Sequence, residues 1–275
     1  MTPPFFSILI VCLNAGDKLR KTFDSVKSQT FRDYEVLVKD GESTDGSVEQ
    51  LLQMEKELEE AATAPYLKVI CRKDQSIYDA MNQAVDEAKG KYILFLNCGD
   101  VLYDENVLKN VAAAIKKEDG RGIYYGDIFS EKTNTLVAAP GRITGFTCYR
   151  NIPCHQACFY HRDLFERIRF DADYRIRADY DHFLRCVYRE GANPLHCGFT
   201  VASYEGGGYS ESRENRKRDR QEHRLITGEY MSAGALFLYR AAMALTLAPL
   251  RRVMAESPVF SGIYQKLKGL CYKRS

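Results

Sequence analysis

Asn97-Cys98-Gly99-Asp100 closes the apolar run YILFL (92–96) with an amide, a thiol, a glycine and a carboxylate. Such a run belongs inside a buried parallel sheet, so its polar end marks the mouth of a strand. Two more acids stand in similar places. YEVLVKD (34–40) ends in Asp40, and YLKVICR (66–72) is followed by Lys73 and Asp74. Ligands of parallel α/β sheets bind at the C-terminal ends of the strands, near the switch in strand order. A single acid there commonly caps the next helix; three on one edge point to a ligand. A hard divalent cation fits, because Mg2+ or Mn2+ takes one or two protein carboxylates and fills its shell with phosphate oxygens and water. Asp100 is placed for such an ion, and Gly99 lets the backbone approach closely.

The elements that must position these residues alternate. FFSILIVCL (5–13) reads as a first strand buried on both faces, with Leu19, Phe23 and Val26 at helical spacing behind it. Strands at 34–40, 66–72 and 92–96 follow, separated by helices that carry Val48, Leu51, Leu52 and Leu58, and then Ile77, Met81, Ala84, Val85 and Ala88 up to Gly90. Asp104 can cap a helix bearing Val107, Val111 and Ile115. Short connections in a β-α-β-α order predict a mostly parallel sheet with helices on both faces. After residue 120 the pattern changes. GIYYGDIFS and TLVAAPGRI read as antiparallel strands, ACFYHRDLFERI as a strand and a helix, ADYDHFLRCVYREG as a helix and PLHCGFTVASYE as a last strand. GGGYSES (206–212) breaks regular structure and suits a hinge or a plain loop. The charged run at 213–224 mixes signs and reads as a solvated helix, not a nucleic-acid surface.

Composition narrows the class. A chain of 275 residues that is 45% hydrophobic and 28% charged can bury a full core. Nine cysteines at irregular spacing suit reduced thiols in a cytosolic compartment. The N-terminus lacks a basic region before its apolar run, which favours a strand over a signal peptide. Net charge is +2, yet seven Lys or Arg and one Glu fall from Arg240 onward, so the body is acidic and the tail basic. The first turn, CLNAGDKL, lacks the glycines of a dinucleotide fingerprint, and there is no Gly-Lys-Ser/Thr phosphate loop. A metal bridging a diphosphate to a carboxylate is the alternative.

With those residues in place, the chain resembles a family 2 glycosyltransferase of the GT-A fold, in the branch that decorates bacterial polysaccharides. The matching segments are ILIVCLNAGDKLRKTFDSVKSQTFRDYEVLVKDGESTDGS, DQSIYDAMNQAVDEAKGKYILFLNCGD and ADYDHFLR, over about residues 5–205. The resemblance implies that Asp40 hydrogen-bonds the nucleotide base, with Leu13 and Asn14 packing against it. It implies that Asp74, Tyr78, Asp79 and Asn82 line the ribose and sugar. Asn97-Cys98-Gly99-Asp100 stands in place of an acid-rich metal motif of which only Asp100 is left, while Asn97 can still bond a ribose hydroxyl. Asp179 matches the catalytic base. Asp181 is its rival, but two residues along a helix it points elsewhere. A base of this kind works best with its pKa tuned upward.

In CHQACFYH (154–161) the spacing of two Cys and two His is not that of a standard zinc site. His155 and Gln156 are expected at the cleft, against acceptor or diphosphate. Cys98 and His196 read as core residues. The expected organisation is a catalytic domain over 1–205, with a nucleotide-sugar half to about 118 and an acceptor half from 119, then a lid loop and basic helical tail over 206–275. The expected activity is inverting transfer of a hexosyl-type sugar from a nucleotide-diphospho-sugar, UDP-linked, to a glycan hydroxyl, with Mn2+ or Mg2+. Two alternatives stand beside it: a nucleotidyltransferase of similar architecture, and a degenerate protein that only binds sugar nucleotides. The expected place is the cytoplasm, with the acceptor on a lipid carrier. The tail ALFLYRAAMALTLAPLRRVM (235–254) is too broken to span a bilayer. Either it lies at the inner face of the membrane, with Phe237, Leu238, Leu245 and Leu247 buried and Arg251, Arg252, Lys266 and Lys268 at anionic headgroups, or it packs on protein.

Overall fold

A computed structural model of the chain describes residues 2–61, 66–118, 122–206 and 215–245. The stretch after Gly206 and the basic residues beyond Leu245 lie outside the described residues. The first half runs β1 (Phe6–Cys12), α1 (Asp17–Lys27), β2 (Tyr34–Asp40), α2 (Ser47–Ala61), β3 (Tyr66–Cys71), α3 (Ile77–Glu87), β4 (Tyr92–Asn97), β5 (Val101–Leu102) and α4 (Val107–Glu118). The second half runs β6 (Ile123–Ser130), β7 (Thr135–Val137), α5 (Gly145–Arg150), a 3-10 turn (His155–Ala157), β8 (Cys158–His161), α6 (Asp163–Arg167), α7 (Ala178–Tyr188), β9 (Leu195–Tyr204), α8 (Arg216–Tyr230) and α9 (Ala233–Leu245).

One sheet holds all the described strands in the order β3-β2-β1-β4-β8-β6-β9-β5, with β7 on β6. β3, β2, β1 and β4 are parallel, as the alternating pattern predicts. β8 then pairs antiparallel with both β4 and β6, and β6 and β9 are parallel again. β6 and β7 form the expected antiparallel pair. β5 is an addition: the chain turns at Gly99 and pairs two residues antiparallel with β9, which ties the two halves together.

Every residue of β1 and β2 is buried. Alternate side chains of β1 go to opposite cores: Phe6, Ile8, Ile10 and Cys12 to one, with α1, α2 and α4, and Leu9 and Val11 to the other, with α3 and α7. A period of two with both faces apolar is what makes these strands read as continuous runs. The register sets Cys12 beside Asp40, Asp40 beside Cys71, and Val11 beside Asn97. The polar residues that end the strands therefore share one edge. α8 is more than a solvated helix. Most of it is exposed, but Glu222, Ile226 and Thr227 are buried, and Ile226, Met231 and Leu236 join the α7 core.

At the opposite edge, buried Glu35 accepts hydrogen bonds from Ser7 Oγ (2.6 Å), Lys89 N (2.7 Å) and Gly90 N (3.1 Å). Gly90 leaves no room for a side chain, because a Cβ there would strike the backbone of Phe6 and Ser7. Overpacking of this kind costs about 1–3 kcal/mol. Gly90→Ala is therefore expected to lower the unfolding free energy by that amount, read as a lower urea midpoint at an unchanged slope; an unchanged midpoint would show that the β1 edge yields freely.

Candidate active site

Two groups of side chains occupy the C-terminal edge of the parallel strands. The first lies at β1 and β2. Leu13 is 59% exposed and offers an apolar surface. Asn14 takes a positive φ of 51° and accepts a hydrogen bond from Thr44 N (2.9 Å), so it folds the β1 end onto the 41–46 turn. Asp40 is fully buried. Its carboxylate accepts from Ser43 N (2.7 Å), Ser43 Oγ (2.6 Å) and the Cys12 thiol (3.3 Å). A nucleotide base would have to take the place of the Ser43 hydroxyl to reach it. Asp74 is paired with the fully buried Lys39 ammonium at 2.7 Å, and its carboxylate lies against Gly41.

The second group lines a cleft of about 450 Å³ between β4 and the second half of the chain. Tyr78, Asn97, Asp100, His155, Gln156 and Asp179 all face it. Asp100 is 4% exposed and accepts from Gln156 Nε2 (2.8 Å) and Glu205 N (3.1 Å). Burial raises its carboxyl above the ordinary value; those two neutral donors and His155 oppose the rise, and nearby Glu205 adds to it. The side-chain oxygen of Asn97 is buried and has no partner among the described residues. A buried carboxylate held by neutral donors, beside an orphaned amide oxygen, suits a hard cation shared with phosphate. Asp100 is the residue that could hold it.

Asp179 sits in the first turn of α7. His155 Nδ1 meets its Oδ2 at 3.3 Å, and the Tyr78 hydroxyl donates to its Oδ1 at 3.0 Å. The Asn97 amide nitrogen lies 3.1 Å from His155 Nε2, so that nitrogen accepts and the ring proton stays on Nδ1. Burial alone would raise the Asp179 carboxyl, but His155 and Tyr78 outweigh it and hold it below the ordinary value. This is opposite to the upward tuning expected of a base. Two donors from distant parts of the chain stabilise the ionised form more than burial disfavours it. Asp181 faces the other way. It is fully buried, pairs with Arg185 at 2.8 Å and accepts from Tyr230 (2.9 Å). It does not reach the cleft.

Glu222 of α8 fixes the start of α7. Its buried carboxylate accepts from the backbone N–H groups of Arg175 (3.0 Å), Ile176 (3.0 Å) and Arg177 (2.9 Å). Negative charge at a helix N-terminus also suits the helix dipole.

Asp79 and Asn82 are not among the residues that line the cleft. Asp79 accepts from Gln75 N (2.9 Å) and donates its own N–H to Ser76 Oγ, closing the first turn of α3. Asn82 exchanges two hydrogen bonds with the backbone of Phe170 (2.9 and 3.0 Å). The polar atoms of Asp79 are engaged within its own helical turn, and those of Asn82 by the distant chain at Phe170. His196 is satisfied within the fold by Asp127 at 3.0 Å, and Cys98 packs against the core at the cleft wall. Lys18, Arg175 and Glu205 also line the cleft and are absent from the sequence-based set. Glu205 follows the last core strand, so an acid at a strand mouth was the available signal.

A mixed sheet whose parallel half presents its strand mouths to a cleft, with helices on both faces, is the architecture of the GT-A transferase fold, which the likeness to solved structures bears out. Comparison with known proteins makes this specific: the Glycosyl transferase family 2 profile matches residues 7–169, and the chain belongs to that family and is a glycosyltransferase. A PGL/p-HBAD biosynthesis glycosyltransferase of Mycobacterium bovis is 36% identical over 214 residues, 77% of this chain and 81% of that protein. The amylovoran biosynthesis glycosyltransferase AmsB of Erwinia amylovora is 25% identical over 193 residues, 66% of this chain and 63% of that protein. Two solved structures share the fold. S. aureus TarS 1–349 in complex with UDP-GlcNAc has a TM-score of 0.60 at 16% identity, over 82% of this chain and 71% of that one. The mannosyltransferase PcManGT from Pyrobaculum calidifontis, in complex with GDP-Man and Mn2+, has a TM-score of 0.63 at 15% identity, over 98% and 87%. Membership of the family selects glycosyl transfer over the nucleotidyl transfer that the architecture alone leaves open.

The two cleft carboxylates have opposite effects on folding. Asp100 has its carboxyl raised on folding, so ionising it costs stability once the pH passes above the ordinary carboxyl range. Asp179 has its carboxyl lowered, so its charge adds stability at neutral pH, lost as the pH falls through the folded-state value. Calorimetry in EDTA at pH 7 should therefore find a higher Tm for Asp100→Asn and a lower one for Asp179→Asn. Both differences should shrink toward pH 3.5. A drop in Tm for Asp100→Asn at pH 7 would contradict this account.

Proposed function

We propose that the protein is an inverting glycosyltransferase that moves a hexosyl-type sugar from a UDP-linked donor to a glycan hydroxyl in bacterial polysaccharide biosynthesis. The observation that carries this reading is that Asp100 and Asp179 line one cleft from opposite sides. The nucleotide would lie along the β1 and β2 ends, its base against Leu13 and its imide N–H on Asp40 in place of Ser43. Asp74 would meet the donor beside it. The Asn97 oxygen would accept from a ribose hydroxyl. Asp100, with Gln156 holding its second oxygen, would carry Mn2+ or Mg2+; such an ion neutralises charge growing on a leaving diphosphate. PcManGT, of the same fold, is described with Mn2+.

Asp179 would take the proton of the acceptor hydroxyl as its oxygen bonds to the sugar carbon and the bond to the diphosphate breaks on the opposite face. Its lowered pKa keeps it ionised, and so able to accept, at neutral pH. His155 and Tyr78 hold the carboxylate in one orientation, and His155 ties it through Asn97 to the donor side. Positioned proton transfer contributes about 10²–10⁴ in rate. Asp179→Asn is expected to lose that factor in kcat with little change in donor KM. In the same assay CDP should inhibit at least about tenfold more weakly than UDP, because cytosine lacks the N–H that Asp40 would accept. Near-normal kcat in the variant, or equal inhibition, would count against the reading.

The acceptor is proposed to be lipid-linked and to be met at the inner face of the cell membrane. Among the described residues no helix is long and apolar enough to cross a membrane. α9 packs through Leu236 and Tyr239, yet Phe237, Leu238 and Leu245 are 71%, 65% and 84% exposed. Arg251, Arg252, Lys266 and Lys268 follow in sequence. An exposed apolar face followed by basic residues suits an anionic lipid surface, where each Lys or Arg adds roughly 1 kcal/mol. Full-length protein should float with anionic vesicles at low salt, and Phe237→Ser/Leu238→Ser should not. Equal flotation of the two would mean that α9 is not the contact.

A further inference from the structure

The fourth strand brings one acid to the cleft, and a divalent cation shared with a diphosphate takes one or two. We propose that Glu205 is the second carboxylate of this metal site, facing Asp100 across Gly99, and that the Lys18 ammonium occupies the pair in the free protein. This rests on the reading that the cleft takes a nucleoside diphosphate with its cation.

Three observations carry it. Glu205 stands one residue beyond the end of β9, and its N–H donates to Asp100 Oδ1 at 3.1 Å, so its backbone is fixed on the metal acid. Its carboxylate lies over Gly99, where the Oε2 atom occupies the space that a Cβ would need; Gly99 also takes a φ of +103°. The strand mouth is thus bare on the side that Glu205 covers. Finally, Lys18 Nζ meets Glu205 Oε2 at 2.6 Å. The Lys18 side chain also runs past Gly99, its Cδ 3.5 Å from where a Cβ would stand. A cation is thus already placed on the Glu205 carboxylate at the strand mouth.

A structural role explains this pair poorly. Lys18 is 57% exposed and Glu205 34%, and exposed ion pairs contribute little to stability. As a stand-in the ammonium has a function: it offsets one of two negative charges brought close together, and it yields to an ion of twice the charge. Released, Lys18 still lines the cleft and can turn its charge toward a diphosphate.

The test is binding, not turnover. Bound Mn2+ is measured on the full-length protein by loss of the free-ion paramagnetic resonance signal, with and without UDP. UDP affinity in EDTA is measured separately by calorimetry. Glu205→Gln should weaken Mn2+ binding at least about tenfold in the presence of UDP, the scale on which a supporting group at a metal site acts, and leave UDP affinity in EDTA unchanged. Lys18→Gln should tighten Mn2+ binding without UDP by about thirtyfold, the effect of removing one unit charge at about 4 Å from a divalent ion in water. This exposed substitution also guards against a Glu205 variant that fails to fold. Wild-type Mn2+ affinity in Glu205→Gln, or no gain in Lys18→Gln, would overturn the assignment even while UDP still binds. A wild-type protein that binds UDP in neither condition would instead overturn the donor reading on which the assignment rests.

Discussion

Parallel pairing in register is the constraint from which the site follows. β2, β1 and β4 hydrogen-bond side by side over their whole lengths, with both faces covered by helices. Slipping any of them by one residue would draw a polar end into an apolar layer, at the cost of an unpaired buried group. Asp40, Asn97 and the turn to Asp100 are thereby delivered to one edge without any contact among themselves being needed. The same edge receives the second half of the chain only because β8 reverses direction beside β4 and carries the 3-10 turn with His155 and Gln156 back over the strand mouth.

The second half supplies what the sheet cannot. α7 is an ordinary amphipathic helix whose first turn would offer free N–H groups to solvent. Glu222 occupies the three that precede it, and the single Tyr78 hydroxyl proton is shared between the Ile176 carbonyl (2.6 Å) and the Asp179 carboxylate (3.0 Å). The orientation of Asp179 is therefore set from α3, from the 3-10 turn and from α8 together. A carboxylate gripped on this many sides is pre-organised and held ionised, which favours geometry over basicity.

Much of this was legible in the sequence, and the failures have a common cause. The buried strands were readable because runs such as FFSILIVCL serve two apolar layers at once, and the edge they share follows from parallel order alone. Asp179 was separable from Asp181 because two residues on a helix turn about 200° apart. Asp79 and Asn82 matched by type and place, but a match does not say whether a carboxylate or amide points into a cleft or back to a neighbouring backbone. Here the local turn at Gln75 and the chain at Phe170 claimed them. The direction of the Asp179 shift depended on His155 and Tyr78, and the roles of Glu205 and Glu222 depended on contacts 105 and 45–47 residues apart in the chain. No local pattern encodes such distances.

Glu205 and Glu222 also flank the connection between β9 and α8. One is bonded to Asp100 and the other to the backbone just before α7, which carries Asp179 in its first turn. A displacement of β9 at Glu205 therefore reaches Asp100 directly, and a displacement of α8 at Glu222 reaches the backbone that leads into α7.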